Sequence, residues 1–124
     1  MVTLVFCLRR KSGLAREEFQ RYWREHHGPL MQRNMAAFGA RRYVQLHSLD
    51  GPEAAAIAGS RGGPEGFDGV AVVWWDDLDA FRQGTGTDDG RAAGKQMYKD
   101  ELNFIDLEAS PIFLTEDRFE AAGG

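Results

Sequence analysis

The sequence predicts an α+β fold of the ferredoxin-like type, βαββαβ, with a four-stranded antiparallel sheet and the helices on one face. Three observations carry that prediction. Short β-branched or aromatic runs alternate with helical periodicity in the order strand, helix, strand, strand, helix, strand. Right-handed crossovers in that order put both helical layers on the same side of the sheet. Two of the runs, Leu4-Val5-Phe6-Cys7-Leu8 and Val70-Ala71-Val72-Val73-Trp74-Trp75, are apolar towards both faces, so the side opposite the helices needs a cover. The simplest cover is a second copy of the chain, sheet against sheet, in an isologous homodimer; the alternative is the chain's own long loop or tail. With 124 residues, 43% of them hydrophobic, there is material for one core. A single domain is expected over residues 1–118, with a frayed tail at 119–124.

The first strand is VTLVFCLR, Val2 to Arg9, closed by the polar turn RKSG. Helical periodicity follows: Phe19, Trp23 and Leu30 share a narrow stripe with charged residues opposite. Leu14 and Phe19 are spaced as a hydrophobic staple around Ala15, which has no side-chain oxygen to cap the helix, and Glu18 occupies the third helical position. Gly28-Pro29 is expected to interrupt this helix, with a new segment from Leu30 to about Phe38. Ala40 to Ser48 is the second strand. Gly51 to Gly66, rich in Ala, Gly and Pro, reads as a long mobile loop with at most a turn of helix at Glu53 to Ala58. Val70 to Trp75 is the third strand, and Asp76-Asp77 opens a short helix around Leu78 to Arg82. GTGTDDG is expected to break the pattern before a helix from Arg91 to Leu102, and Ser110 to Glu116 is the last strand.

Composition narrows the function. Fifteen Lys and Arg against 19 Asp and Glu give a net charge of −4, and neither sign forms a long run, which argues against nucleic acid or an anionic membrane as partner. The single cysteine, Cys7, excludes an internal disulfide and any multi-cysteine metal or cluster site. The apolar run at Val2 to Leu8 is too short to span a bilayer and lacks the flanks of a secretory leader, so a cytoplasmic protein is expected. GxSxG, HExxH and CxxC are absent. GTGTDDG follows a helix and has no Lys-Ser or Lys-Thr, so it is no P-loop, and no cofactor is expected.

Chemistry concentrates in YWREHHGPL, Tyr22 to Leu30. Imidazole exchanges protons near neutral pH without tuning, and a helix interruption leaves backbone groups and space beside it. On an unbroken helix His26 lies near the centre of the Phe19 and Trp23 stripe and His27 at its edge; a break at Gly28-Pro29 rotates that turn, so periodicity does not choose between them. Ending the helix at its negative pole is the plainer use of both. Adjacent histidines diverge by about a third of a turn, so His26, His27 and His47 make a poor metal site, and no metal is expected. Tyr43, Gln45 and His47 share one face of the second strand. Turned to the helices, they line the same cavity as the histidines; otherwise Tyr43 is core and the other two lie at an edge. Trp74 and Trp75 point to opposite faces, one to floor a pocket and one to join a dimer core. Cys7 reads as a small buried hydrophobe.

GLAREEFQRYWREHHGPL, Gly13 to Leu30, resembles the helix-one motif of the EthD family, GL(S/T)xEEFxxYWxxxHxPL. Asp100-Glu101, Phe104 and Asp106, followed by SPIFLTED, resemble that family's terminal DExxFxD and final strand. The resemblance covers most of the chain outside residues 51–66. It implies the dimeric α+β barrel and makes His27, two residues before Pro29, the motif histidine. Two departures stand out: Ala15 replaces the usual capping Ser or Thr, worth about 1 kcal/mol, and His26 adds an imidazole where the motif is variable.

Proteins like these are associated with ether-degradation clusters or are similar to polyketide-pathway dehydratases, and the wider superfamily includes cofactor-free monooxygenases, lactone isomerases and aldol-type cyclases. The resemblance therefore implies a cofactor-independent acid/base enzyme of dehydratase, isomerase or cyclase type on a small hydrophobic carbonyl or polyketide-like metabolite. His27 is expected to move a proton beside the carbonyl. Tyr43 or His47 holds the oxyanion, and Phe6, Trp23 and Trp74 or Trp75 wall the pocket, with His26, Leu30 and Gln45 as further contacts. The alternatives are a cofactor-free monooxygenase on an electron-rich aromatic and a non-catalytic small-molecule binding protein.

Overall fold

A computed structural model describes the whole chain, Met1–Gly124. In chain order it runs β1 (Val2–Leu8), α1 (Arg16–Tyr22), a π-helical turn (Trp23–His27), α2 (Gly28–Phe38), β2 (Arg42–His47), α3 (Pro52–Gly59), β3 (Gly69–Trp75), α4 (Leu78–Gly86), α5 (Asp88–Glu101) and β4 (Ile112–Glu116). The strands form one antiparallel four-stranded sheet in the order β2-β3-β1-β4, the ferredoxin-like arrangement.

Register decides which side chains meet the helices. Leu4 pairs with Val73, and Phe6 with Ala71, while Val73 pairs with Tyr43 and Ala71 with Gln45. These side chains all turn to the helical layer, where the strands share two core clusters with α1, the π turn, α2 and α5. Their neighbours Val5, Val72 and Val44, together with Cys7, Val70 and Leu46, turn to the opposite face. No helix is long and apolar enough to cross a membrane.

Three expectations are corrected. Gly28-Pro29 does not interrupt the helix. The chain absorbs the missing proline donor by widening one turn, in which the Gly28 N–H bonds to the Trp23 carbonyl five residues back, and helix runs on to Phe38. Residues 51–66 are not one long loop, because Pro52–Gly59 is an eight-residue helix. It buries no side chain, and Ile57 is 71% exposed; alanine propensity and Pro52 in the first turn form it, so it carries no amphipathic stripe to detect.

GTGTDDG does not break the chain for long either. α4 extends through Gly86, and only Thr87 separates it from α5, its Oγ1 accepting from the Gly90 N–H at 2.9 Å. A Cβ on Gly84 would overlap the Phe38 carbonyl oxygen, so that glycine is what lets α4 lie against the end of α2. Gly84→Ala is expected to cost about 1–3 kcal/mol in urea unfolding. Gly94→Ala, mid-helix in α5 with nothing within 4 Å of the new Cβ, is expected to gain up to about 1 kcal/mol. Equal effects would mean that close approach is not the function of Gly84.

Candidate functional site

The π turn sets the site. A turn with five-residue hydrogen-bond spacing rotates less per residue than an α-helix, so it brings His27 beneath Trp23 and swings His26 outwards. His27 is 6% exposed; the His26 side chain is 61% exposed and stacks on Tyr22, with ring centroids 4.7 Å apart. Gly28 has no side chain where the Gln45 amide approaches, and Gln45 Nε2 donates to the Trp23 carbonyl at 2.8 Å. The close turn is thereby fastened to β2.

His27 Nδ1 lies 2.6 Å from Asp100 Oδ2, both groups buried. The tilted ring of Phe104 packs against the imidazole at 4.9 Å. Burial alone would raise the Asp100 carboxyl, but hydrogen bonds from Tyr22 and His27 outweigh it and hold it below the usual range. Asp100 is therefore the carboxylate, and His27 donates from Nδ1. Burial also holds the His27 imidazole below its ordinary value, although Asp100 pulls the other way. At neutral pH the ring is uncharged, with the lone pair on Nε2 and no protein partner for it.

His27 borders a cavity of about 240 Å³ beneath the helices. Of its 17 lining residues 14 are hydrophobic, and the other three are His27, Thr85 and Glu101. Phe6, Trp23, Tyr43 and Trp75 are among the walls. Trp75 is fixed by its indole N–H to the Phe38 carbonyl at 2.9 Å and by an edge contact with Phe81. The Tyr43 hydroxyl accepts from Gln45 Nε2 at 2.9 Å, which leaves its own proton free to donate. Burial raises its pKa, so it stays a phenol.

The remaining predicted residues fall outside this cavity. Leu30 packs in the core between α2 and its neighbours. Gln45 braces the π turn, and His47 donates from Nε2 to Gln45 Oε1 at 2.8 Å while stacking on Trp23 at 4.4 Å, so both support the wall from behind. Trp74 faces the other side of the sheet, beneath the Arg42 guanidinium. His26 faces solvent.

Asp100, Glu101 and Tyr22 were not singled out from the sequence. Met97 and Glu101 recur on one face of α5 at i, i+4, with Asp100 beside them, and all three reach the core side. The sequence signal for the two carboxylates was the DExxFxD resemblance, while Tyr22 stood at the head of YWREHHGPL without a role of its own.

Fold and site together define a class: a ferredoxin-like domain with one apolar pocket and a buried histidine–carboxylate pair. The model of the EthD domain matches residues 11–108, and the chain belongs to the EthD family. An EthD family protein from Bacillus halodurans is 20% identical, with 95% of this chain and 99% of that chain covered and a TM-score of 0.63. A dimeric ferredoxin-like protein of unknown function from Thermobifida fusca is 16% identical over 92% of this chain and 88% of that one, with a TM-score of 0.54. A variant of SnoaB, a cofactor-independent oxygenase from Streptomyces nogalater, is 19% identical over 96% and 94%, with a TM-score of 0.50. At these identities the likeness is one of fold. Among curated proteins none matches the chain.

Burial, with Asp100 beside it, pushes the Glu101 carboxyl up to about 7. The folded protein therefore keeps a proton that the unfolded chain loses near 4.5, and stability falls as pH rises through that window. Glu101→Gln is expected to stabilise the fold by roughly 1–3 kcal/mol at pH 8, and to make no difference below pH 4.5. Urea melts of both proteins at the two pH values check this; a gain that is the same at both would show that ionisation is not its source.

Proposed function

We propose that the protein is a cofactor-independent acid/base enzyme of the dehydratase, isomerase or cyclase type, acting on a small hydrophobic carbonyl compound, with His27 as general base. One observation carries the reading: a buried imidazole held at 2.6 Å by Asp100 through one nitrogen, with the other left to an apolar cavity. His27 Nε2 removes a proton from the carbon next to the carbonyl, and the electron pair passes to the oxygen. Asp100 fixes the tautomer and stabilises the imidazolium as it forms. The Tyr43 hydroxyl donates to the developing oxyanion. The proton then returns to carbon or to a leaving hydroxyl, so the cycle consumes no oxidant or reductant.

The exchange of the α-hydrogens of 2-tetralone in D2O, followed by 1H NMR, tests the base. The wild type is expected to exceed the buffer rate, and His27→Ala to lower the protein-catalysed rate by about 10²- to 10⁴-fold. The rate should rise with pH through a value below 6.5, because the deprotonated ring is the base. Exchange indifferent to His27→Ala would overturn the reading.

A second reading has SnoaB, a cofactor-independent oxygenase of the same fold, in its favour. There His27 would deprotonate an electron-rich phenol that reacts with oxygen itself. Oxygen uptake with such a naphthol would move the assignment there, and binding without exchange or uptake would mark a non-catalytic carrier.

The bare sheet face is proposed as the surface of a homodimer. Val5, Val72 and Val44 form its centre, Leu46 and Phe113 are 53% and 49% exposed on it, and no helix packs there. The Thermobifida fusca protein of this fold is dimeric. Leu46→Glu with Phe113→Glu is expected to give monomers in sedimentation equilibrium with the fold intact; a wild type that is itself monomeric would remove the dimer.

A further inference from the structure

The polar inventory of the cavity goes beyond the base. No lysine or arginine lines it. The Thr85 hydroxyl is engaged by the Phe81 carbonyl at 2.7 Å, and the Tyr43 hydroxyl is held by Gln45. Glu101 has no such tie: burial and the charge of Asp100 are what act on its carboxyl. It stands in the last turn of α5, at the negative pole of the helix, where a second carboxylate is disfavoured.

The groups around Glu101 offer its anion no partner. His27 comes from the π turn and is uncharged at neutral pH. Tyr43 comes from β2 and holds its proton more tightly, chiefly through burial and in smaller part through Glu101. Asp100, on the same helix, is ionised. Lys11 is bound to the Leu102 carbonyl at 3.2 Å and does not line the cavity. β1, β3 and β4 contribute only apolar side chains to the lining.

We infer that Glu101 serves the ligand site as a neutral carboxylic acid that donates a hydrogen bond to a ligand oxygen, so the cavity selects uncharged ketones and phenols of one or two rings and rejects the matching carboxylates. The size follows from volume: an apolar cavity of roughly 150 Å³ lodges benzene, and this one is about 240 Å³. The charge selection follows from the lining. An anion entering here gains no cation and lies within the field of Asp100 behind the lining, while an uncharged oxygen finds donors in Glu101 and Tyr43. With its carboxyl pushed up to about 7, Glu101 holds its proton on the acid side of neutrality and loses it a unit or two above.

This inference rests on the cavity being the ligand site proposed above, and the test separates the two. The probes are 2-acetylnaphthalene and 2-naphthoate, nearly equal in shape, titrated into the protein by calorimetry at pH 6.5 and 8.5. Over that range Asp100 stays ionised and Tyr43 stays a phenol, and His27 is mainly uncharged, so Glu101 is the lining group whose charge changes most. The ketone is expected to bind at least tenfold more tightly than the carboxylate at pH 6.5, and to lose about tenfold by pH 8.5. Glu101→Gln, whose amide donates at either pH, is expected to keep ketone binding and abolish its pH dependence, whereas Glu101→Leu weakens ketone binding at pH 6.5. Equal affinity for both probes, or a pH dependence that survives in Glu101→Gln, overturns the role of Glu101 and leaves His27 untouched. Failure of both probes to bind the wild type removes the cavity as a ligand site and this inference with it.

Discussion

The contact between His27 and Asp100 joins two elements 73 positions apart in sequence, the π turn and the end of α5. A carboxylate at that depth without a partner costs several kcal/mol, so the position of α5 and the rotation of the π turn are not independent. Each holds the other's polar group satisfied. The Phe104 ring against His27 and the Tyr22 hydroxyl on Asp100 then follow from the same pairing, because both complete the surround of one buried ion. The cavity lies beside this contact: His27 from the π turn and Glu101, next to Asp100 on α5, both line it.

The wide turn at Trp23–His27 explains why the pairing is geometrically available. An unbroken α-helix would split the two histidines about the Trp23 direction. The extra spacing aligns His27 with Trp23, and Gly28 lets Gln45 seize the Trp23 carbonyl. Proline, usually read as the end of a helix, is here a reason for one wider turn within it.

How much of this was legible in the sequence follows from the range of each interaction. Strands β1 and β3 were legible because a short, largely β-branched apolar run is a local signal, and the placement of both helical layers on one side followed from handedness rules that need no side-chain detail. The split of Trp74 and Trp75 to opposite faces, and the common face of Tyr43, Gln45 and His47, came from the same two-residue period. α3 was invisible to periodicity because it packs against nothing. Gly84 looked like a breaker because glycine has two uses, and only the approach of α2 distinguishes them. Periodicity left His26 and His27 tied, since a π turn has no sequence pattern of its own, and Glu101, seen only as part of a motif, had no legible role because its environment is assembled from β2, the π turn and α5.

Asp100 has two oxygens, and they face different worlds. Oδ2 meets His27 at the cavity, while Oδ1 meets Tyr22 and Asn103 and lies 3.5 Å from Nδ1 of the solvent-facing His26. The same carboxylate therefore holds the cavity's base on one side and stands beside groups at the surface on the other. A base shut beneath the helices is thereby tied, through one carboxylate, to side chains that water reaches.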